Sequence, residues 1–113
     1  MVASYIPDSG DIIWLNFDPQ AGHEQAGHRP AVVLSPKAYN GRTGLCLAAP
    51  VTTRSKGYPF EVSLPPGCQT TGVVLCDQVR SLDWKARAAT LKERAGQDFA
   101  REVLARFLPL VTW

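Results

Sequence analysis

The residues best suited to chemistry lie in the stretch HEQAGHRP, residues 23–30, directly before the apolar run AVVL. Glu24 offers a carboxylate, His28 an imidazole and Arg29 a guanidinium. A guanidinium binds phosphate oxygens through paired hydrogen bonds, and a carboxylate or an imidazole can accept a proton. The stretch therefore indicates either a site for an anionic ligand or a solvated loop whose arginine forms a surface ion pair of little energetic weight.

Thr52 is a fourth candidate, because the predicted strand pairing brings it close to Arg29. The runs at 30–35 and 44–50 are strand-like, and the short connection between them favours antiparallel pairing. The start of the first strand then faces the end of the second, which continues into PVTT, residues 50–53. We therefore expect Arg29 and Thr52 to meet at one end of the sheet.

Such a cluster would suit a phosphodiester. Arg29 would stabilise charge on a pentacoordinate phosphorus, and Thr52 would donate a neutral hydrogen bond. Glu24 or His28 would take the proton of a ribose 2′-OH, which then attacks the adjacent phosphorus. Because the nucleophile belongs to the substrate, and because the sequence lacks HExxH, DxD or a tight carboxylate cluster, we expect no metal and no other cofactor.

The elements that must position these residues are short strands separated by turns, followed by one helix. Apolar runs predict strands at 11–17, 30–35, 44–52, 58–64, 72–82 and near 86–90, with a turn or one helical turn at 36–43. Apolar residues at helical spacing predict a helix that starts at 96 or 97, and Pro109 should end or kink this helix near residues 106–108. The predicted fold is mainly β (α+β), a small SH3-like or OB-type barrel with a C-terminal helix, in a single domain 1–113.

Composition narrows the classes of protein. Hydrophobic residues make up 45% of the 113 residues and charged residues 19%, as in globular domains. No apolar run approaches the ~20 residues that span a bilayer, and the N-terminus lacks a signal-peptide pattern, so we expect a cytoplasmic protein without a membrane span. The three cysteines fit neither a disulfide framework nor a zinc site.

The charges are unevenly distributed along the chain. Residues 1–36 carry one basic and four acidic side chains, whereas residues 80–113 carry seven basic and four acidic ones. A normal mixed surface would explain this, but the distribution also permits a basic face for a nucleic acid backbone.

Several blocks of the sequence resemble the MazF/PemK toxins of bacterial toxin–antitoxin pairs. The blocks are GDIIWLNFDP, EQAGHRPAVVLSP, CLAAPVTTRSKGYPFEV and DQVRSLDWKARAA, in this order between about residues 5 and 90. The order and separation of G-x-R-P and P-x-T-x-x-S-K carry most of the resemblance, whereas residues 95–113 match only in pattern.

The resemblance implies an SH3-like barrel of the MazF/CcdB/Kid type that forms a homodimer. It implies metal-independent cleavage of single-stranded RNA at short motifs, which leaves a 2′,3′-cyclic phosphate and a 5′-OH and so inhibits translation and growth. The family's key arginine and threonine fall on Arg29 and Thr52, and Glu24 and His28 match motif positions in the preceding loop. The implied partner is a MazE-like antitoxin whose acidic, flexible tail occupies the RNA groove.

Six further residues are candidates for binding RNA, because bases are held by stacking and by edge contacts and phosphates by cations. Four follow Thr52 in the chain, and the other two are expected at a strand end. They are Arg54, Ser55, Lys56, Tyr58, Asp77 and Gln78.

Two alternatives to a nuclease remain open. A non-enzymatic toxin of the CcdB type would bind DNA gyrase through its C-terminal end, and the terminal Trp113 is the argument for it. The Gly-His-Arg-Pro block and Thr52 would then have no use. The other alternative is a small barrel adaptor without catalysis.

Overall fold

The computed structural model describes residues 5–17 and 27–113. Within these residues the chain forms seven strands, two α-helices and a final 3-10 turn. The strands are β1 (Asp11–Asn16), β2 (His28–Val33), β3 (Leu45–Thr52), β4 (Glu61–Ser63), β5 (Val73–Leu75), β6 (Arg80–Asp83) and β7 (Thr90–Arg94). Helix α1 (Lys37–Thr43) connects β2 to β3, and α2 (Gln97–Phe107) follows β7 and leads into the turn Leu108–Leu110. No helix in the described ranges is long and apolar enough to cross a membrane.

The strands form one bent antiparallel sheet in the order β4-β5-β3-β2-β1-β7, with β6 also paired to β3. Ala48 pairs with Val33 of β2 on one edge of β3 and with Arg80 of β6 on the other. Further along β3, Val51 pairs with Val74 of β5. The predicted mainly β fold with a C-terminal helix is confirmed, but in the described part of the chain the sheet stays open and does not close into a barrel.

The single strand predicted over 72–82 is wrong, because a turn divides it into β5 and β6. The N–H of Gln78 donates to the carbonyl oxygen of Leu75 at 3.1 Å, and the turn that this bond closes interrupts the strand after β5 without reversing the chain, since β5 and β6 are both antiparallel to β3. This turn lets β5 and β6 pair with successive parts of the same edge of β3. Asp77 and Gln78 consequently lie in the turn and not at the end of a strand.

Other boundaries also differ from the prediction, among them that of β2, which covers His28–Val33 and not 30–35. The last strand lies at Thr90–Arg94 and not near 86–90, because residues 84–89 form a turn closed by the bond from the Ala89 N–H to the Trp84 carbonyl, at 3.0 Å. The strand predicted at 58–64 is shortened to Glu61–Ser63, because a turn joins the Glu61 N–H to the Tyr58 carbonyl. Residues 37–43 form a complete short helix where one turn was expected.

Buried apolar side chains form two clusters, one on each face of the central strands. Ile12 belongs to the cluster that α2 covers through Phe99 and Val103, which we call the helix-side core. Ile13 and Leu15 point the other way, as strand alternation requires, into a second cluster that we call the opposite core. The opposite core consists of Ile13, Leu15, Phe17, Ala31, Val33, Cys46, Ala48, Leu82 and Trp84.

All three cysteines are free thiols. Burial raises the pKa of Cys46 to about 12 and that of Cys76 to about 11, so both thiols are protonated at neutral pH. Cys46 and Cys76 are therefore small core residues, whereas Cys68 is only partly buried.

Asn40 is a fully buried polar residue that ties α1 to the rest of the fold. Its Nδ2 donates to the carbonyl oxygens of Pro7 at 2.8 Å and Ser35 at 2.9 Å, and its Oδ1 accepts from the Ser35 hydroxyl. Its backbone oxygen accepts from Trp84 Nε1 at 3.0 Å. Asn40 thus links the N-terminal segment, the residues after β2 and the opposite core, the first two through its side chain and the last through its backbone.

Replacing Asn40 by alanine should destabilise the fold. Asn40→Ala leaves the Ser35 hydroxyl and two buried carbonyls without their partner, so we expect a loss of about 2–4 kcal/mol in the free energy of unfolding. Urea denaturation followed by tryptophan fluorescence measures it. Ser81→Ala, at an exposed position of β6, is the control and should change stability by less than about 0.5 kcal/mol. Equal stability of the two variants would contradict this role of Asn40.

Candidate active site

Arg29 lies near the start of β2, directly opposite Leu15 of β1. Leu15, Ala31 and Val33 all face the opposite core, and strand alternation puts Arg29 on that same face. Its side chain is half-buried. Arg29 therefore stands at the end of the opposite core, where the core opens to solvent.

Thr52 is the last residue of β3 and is only 5% exposed. The β2–β3 ladder pairs Ala31 with Pro50, and continuing this antiparallel register by two residues sets Arg29 opposite Thr52. Thr52 also shares the face of Ala48, which lines the opposite core. The register thus places the two residues at the same end and on the same face of the sheet.

The backbone around Thr52 is fixed by two neighbours. The Thr52 hydroxyl oxygen accepts a hydrogen bond from the Arg54 N–H at 3.1 Å, which leaves its own proton for donation. Gly72 packs against the other side, where a Cβ atom would lie 2.3 Å from the Thr52 carbonyl oxygen. Only a glycine at position 72 therefore permits this approach.

His28 faces away from Arg29 and Thr52. It is exposed, and its imidazole stacks on the indole of Trp14 with a centroid distance of 5.5 Å and an interplanar angle of 26°. Lys92 Nζ lies 5.5 Å from the same indole and donates to the Thr70 hydroxyl. Glu24, the other candidate base, and the neighbouring His23 lie outside the described residues.

Two arginines that the sequence analysis did not single out lie at the same end of β1. Arg80 Nη1 donates to the Phe17 carbonyl at 3.5 Å, with its guanidinium 5.9 Å from the Phe17 ring centroid. Arg87 Nη1 donates to the Asn16 carbonyl at 2.6 Å. Together with Arg29, they surround the last residues of β1 with positive charge, which favours an anionic ligand.

A sequence signal existed for one of these arginines. Arg80 alternates with Leu82, which is buried in the opposite core, so its position in the strand pattern places it on the site's face. Arg87 had no such signal, because it reaches the site from an irregular turn.

The segment after Thr52 lies on the surface. Arg54, Ser55, Lys56 and Tyr58 are all exposed, and Lys56 Nζ lies 5.9 Å from the centroid of the Tyr58 ring. The Ser55 hydroxyl is already engaged, since it donates to Glu61 Oε1 at 2.8 Å.

The remaining candidates are placed on the turn between β5 and β6, where Asp77 is exposed and Gln78 half-buried. In the parts of the chain that the structure covers, no group of three or more His, Cys, Asp or Glu side chains could hold a metal ion.

Residues 8–111 match the family described as the PemK-like, MazF-like toxin of type II toxin-antitoxin systems. The chain belongs to this family. It is 54% identical to the endoribonuclease toxin MazF of Escherichia coli strain K12 over 111 residues, which cover 98% of this chain and 99% of that protein. The family membership indicated by the sequence blocks is thus confirmed.

Solved structures give the same result. MazF from Deinococcus radiodurans (Form-I) is similar with a TM-score of 0.90 and 56% identity over 96% of this chain and 98% of that one. A MazE–MazF complex (Form-II) from the same organism is similar with a TM-score of 0.84 and 56% identity, over 96% of this chain and 97% of that one. The bent sheet with a C-terminal helix is therefore the fold of this toxin family.

The contact between Gly72 and Thr52 can be tested with two glycines that share a positive φ. Gly72 has φ 115° and Gly67 φ 90°, but only Gly72 has backbone atoms where a Cβ would lie. Gly72→Ala should therefore cost about 2–3 kcal/mol more than Gly67→Ala in urea unfolding, because it adds a steric clash to the shared backbone strain. Similar losses in the two variants would show that Gly72 does not constrain Thr52.

Proposed function

We propose that this chain is the toxin of a type II toxin–antitoxin pair and acts as a sequence-specific endoribonuclease on single-stranded RNA. The observation that carries the proposal is the β2–β3 register, whose continuation sets Arg29 opposite the buried Thr52 on one face of the sheet. Arg80 binds the Phe17 carbonyl just after β1. The endoribonuclease name of the Escherichia coli relative supports it. The whole of residues 1–113 would act as one toxin domain.

The reaction is a transesterification within the RNA. The ribose 2′-OH gives up its proton and attacks the adjacent phosphorus, and the bond to the 5′ oxygen of the next nucleotide breaks. That oxygen takes a proton from solvent, so a 2′,3′-cyclic phosphate and a 5′-OH end remain. Negative charge grows on the phosphoryl oxygens as the nucleophile adds. Arg29 stabilises that charge with forked donors, and the Thr52 proton provides a neutral hydrogen bond.

Proton removal from the 2′-OH is assigned to Glu24. His28, the rival base, projects from the opposite face of β2 and stacks on Trp14, which directs its ring away from Arg29 and Thr52. Arg29 is a poor acid because an arginine pKa lies above about 12, so its main role is charge stabilisation. The mechanism needs no metal and no other cofactor, since the substrate carries its own nucleophile in position.

The binding surface combines cations, aromatic faces and polar groups. Arg54 and Lys56 are exposed cations for phosphates, and Tyr58 is an exposed aromatic face for a base. Asp77 and Gln78, on the turn between β5 and β6, offer groups for base edges.

The partners follow from the same chemistry. A MazE-like antitoxin with an acidic, flexible tail would compete with RNA for the basic end of β1, and the MazE–MazF complex of the Deinococcus relative supports such a partner. The toxin would act as a homodimer in the cytoplasm, where translated RNA is its substrate.

The gyrase-binding alternative rests on the fully exposed Trp113 and leaves Arg29 and Thr52 without a function.

The central test is cleavage of a mixed-sequence RNA in the presence of EDTA, followed by sequencing of the 5′-OH ends. The ends should share a short motif, and Arg29→Ala and Thr52→Ala should each lower kcat/KM by about 100-fold or more, because each removes a donor to the transition state. Arg101→Ala, on the exposed side of α2, is the control and should cleave normally. Replacing the ribose at the cleavage site by deoxyribose should abolish cutting. Random ends, no ends, or cutting of the deoxyribose substrate would overturn the proposal.

The identity of the base is tested by comparing two glutamine substitutions. Glu24→Gln should lower kcat by about 100-fold or more, as expected for loss of a general base, whereas His28→Gln should lower it by less than about tenfold. The pH dependence of kcat/KM distinguishes a lost base from a lost contact, since the acidic limb should disappear only in Glu24→Gln. The reverse ranking of the two variants would assign the base to His28.

A further inference from the structure

The segment at 53–60 is folded around the carboxylate of Glu61, the first residue of β4. Glu61 Oε1 accepts hydrogen bonds from the Ser55 hydroxyl at 2.8 Å and from the Gly57 N–H at 3.1 Å. Glu61 Oε2 accepts from the Lys56 N–H at 3.0 Å. We call this arrangement the Glu61 clasp.

The backbone of the segment is shaped to hold an anion. Gly57 has φ 72°, in the left-handed region that glycine adopts without strain, and this lets consecutive N–H groups converge on one point. The hydrogen bonds, led by that from the Lys56 N–H, lower the pKa of the Glu61 carboxyl. Glu61 is therefore ionised at neutral pH, and changes of pH around neutrality do not open the clasp.

Two more contacts fix the far end of the segment. The Glu61 N–H donates to the Tyr58 carbonyl at 3.1 Å, which closes the turn before β4. Arg106, from the last turn of α2, donates through Nη1 to the Pro59 carbonyl. The segment is thus held between β4 and α2, although most of its side chains are exposed.

The outward face of the clasped segment has the chemistry of a platform for a nucleobase. Tyr58 is 56% exposed, and the Lys56 ammonium lies 5.9 Å from its ring centroid, at the limit of a cation–π contact. An aromatic face stacks on any base, and an adjacent ammonium can bind a phosphate of the same strand. Both residues belong to the segment that continues directly from Thr52.

We infer that Glu61 is a positioning residue for RNA: its carboxylate fixes the segment so that Tyr58 stacks on a base beside the cleavage site and Lys56 binds a neighbouring phosphate. This inference rests on the proposed function and adds the residue that organises the binding surface. Glu61 itself does not touch the RNA, because its oxygens are directed at the segment's own donors.

The clasp also changes the role expected for Ser55. The Ser55 hydroxyl gives its proton to Glu61, so Ser55 belongs to the clasp and is not an RNA contact. The same reasoning applies to the converging N–H groups, which could bind a phosphate if they were vacant. Because the Glu61 carboxylate occupies them, RNA meets this segment through the Tyr58 ring and the Lys56 ammonium.

The test uses the full chain with Glu61→Ala and Glu61→Gln, and Glu102→Gln on the exposed side of α2 as a matched control. KM and kcat are measured on a single-stranded RNA substrate, and affinity is measured by fluorescence anisotropy on the same strand with deoxyribose at the cleavage site. Amide hydrogen exchange at Lys56 and Gly57 is followed without RNA.

We expect Glu61→Ala to raise KM about tenfold while kcat stays within about twofold, because uniform substrate binding is lost and the chemical step is not. Glu61→Gln keeps the length and one acceptor, so KM should rise only about threefold. Exchange at Lys56 and Gly57 should accelerate about tenfold in Glu61→Ala, as local opening becomes easier. The control should change none of these quantities.

Each other outcome has a definite meaning. Faster exchange with unchanged KM and affinity would show that the segment does not contact RNA, and a fall in kcat alone would place Glu61 in the chemistry; either result overturns the inference. If Glu61→Ala fails to fold, Ser55→Ala removes a single bond of the clasp and should still raise KM about threefold. If no form of the protein cuts RNA but Glu61→Ala still weakens RNA binding, the proposed function fails while the inference stands.

Discussion

The antiparallel register of β2 with β3 is the constraint on which the candidate site depends. The pairing of Ala31 with Pro50 sets Arg29 opposite Thr52, although 22 residues lie between the two in the sequence. A slip of one residue in β2 would turn Arg29 to the other face of the sheet and would move Ala31 and Val33 out of the opposite core, to the side on which Val32 packs in the helix-side core. The apolar residues that fill the opposite core therefore also fix the direction of the arginine.

The same pairing explains why the positive charge is concentrated at one end of the molecule. β1 lies beside β2, and the carbonyls of its last residue, Asn16, and of the following Phe17 accept hydrogen bonds from Arg87 and Arg80. These two guanidinium groups come from residues 80–113, which carry seven basic and four acidic side chains. Folding thus converts an uneven distribution along the sequence into a basic region around Arg29, which is suited to an RNA backbone and to an acidic peptide alike.

Sequence patterns predicted the parts of the fold that depend on local periodicity. The β2–β3 pairing and the C-terminal helix were predicted because apolar spacing and a short connection leave few alternatives. The division of 72–82 was missed because valine, leucine and cysteine continue the apolar pattern up to the turn at Asp77, and only the change of register between the two pairings on β3 reveals the interruption there.

Only part of the arrangement at the candidate site was predicted, because residue types do not show on which face of a strand a side chain lies. Residue types alone grouped His28 with Arg29, whereas consecutive residues of a strand point to opposite faces. The predicted strand at 30–35 had to be extended back to His28 before that alternation could separate His28 from Arg29. The engagement of Ser55 by Glu61 depends on a turn between them, which composition does not reveal.

The residues of the stretch PVTTRSK have different structural roles, one after another along the chain. Pro50, which has no N–H, lies where the ladder with β2 ends and where β3 changes its partner from β6 to β5. Thr52 then turns the chain by accepting the Arg54 N–H, and Ser55 and the Lys56 N–H attach the following segment to Glu61. Each step redirects the backbone, so the stretch carries the chain from the buried hydroxyl at the end of β3 to the exposed cation and ring of the proposed binding surface. The spacing of the residues in PVTTRSK therefore reflects the course of the backbone between the two sites as much as the chemistry of the side chains.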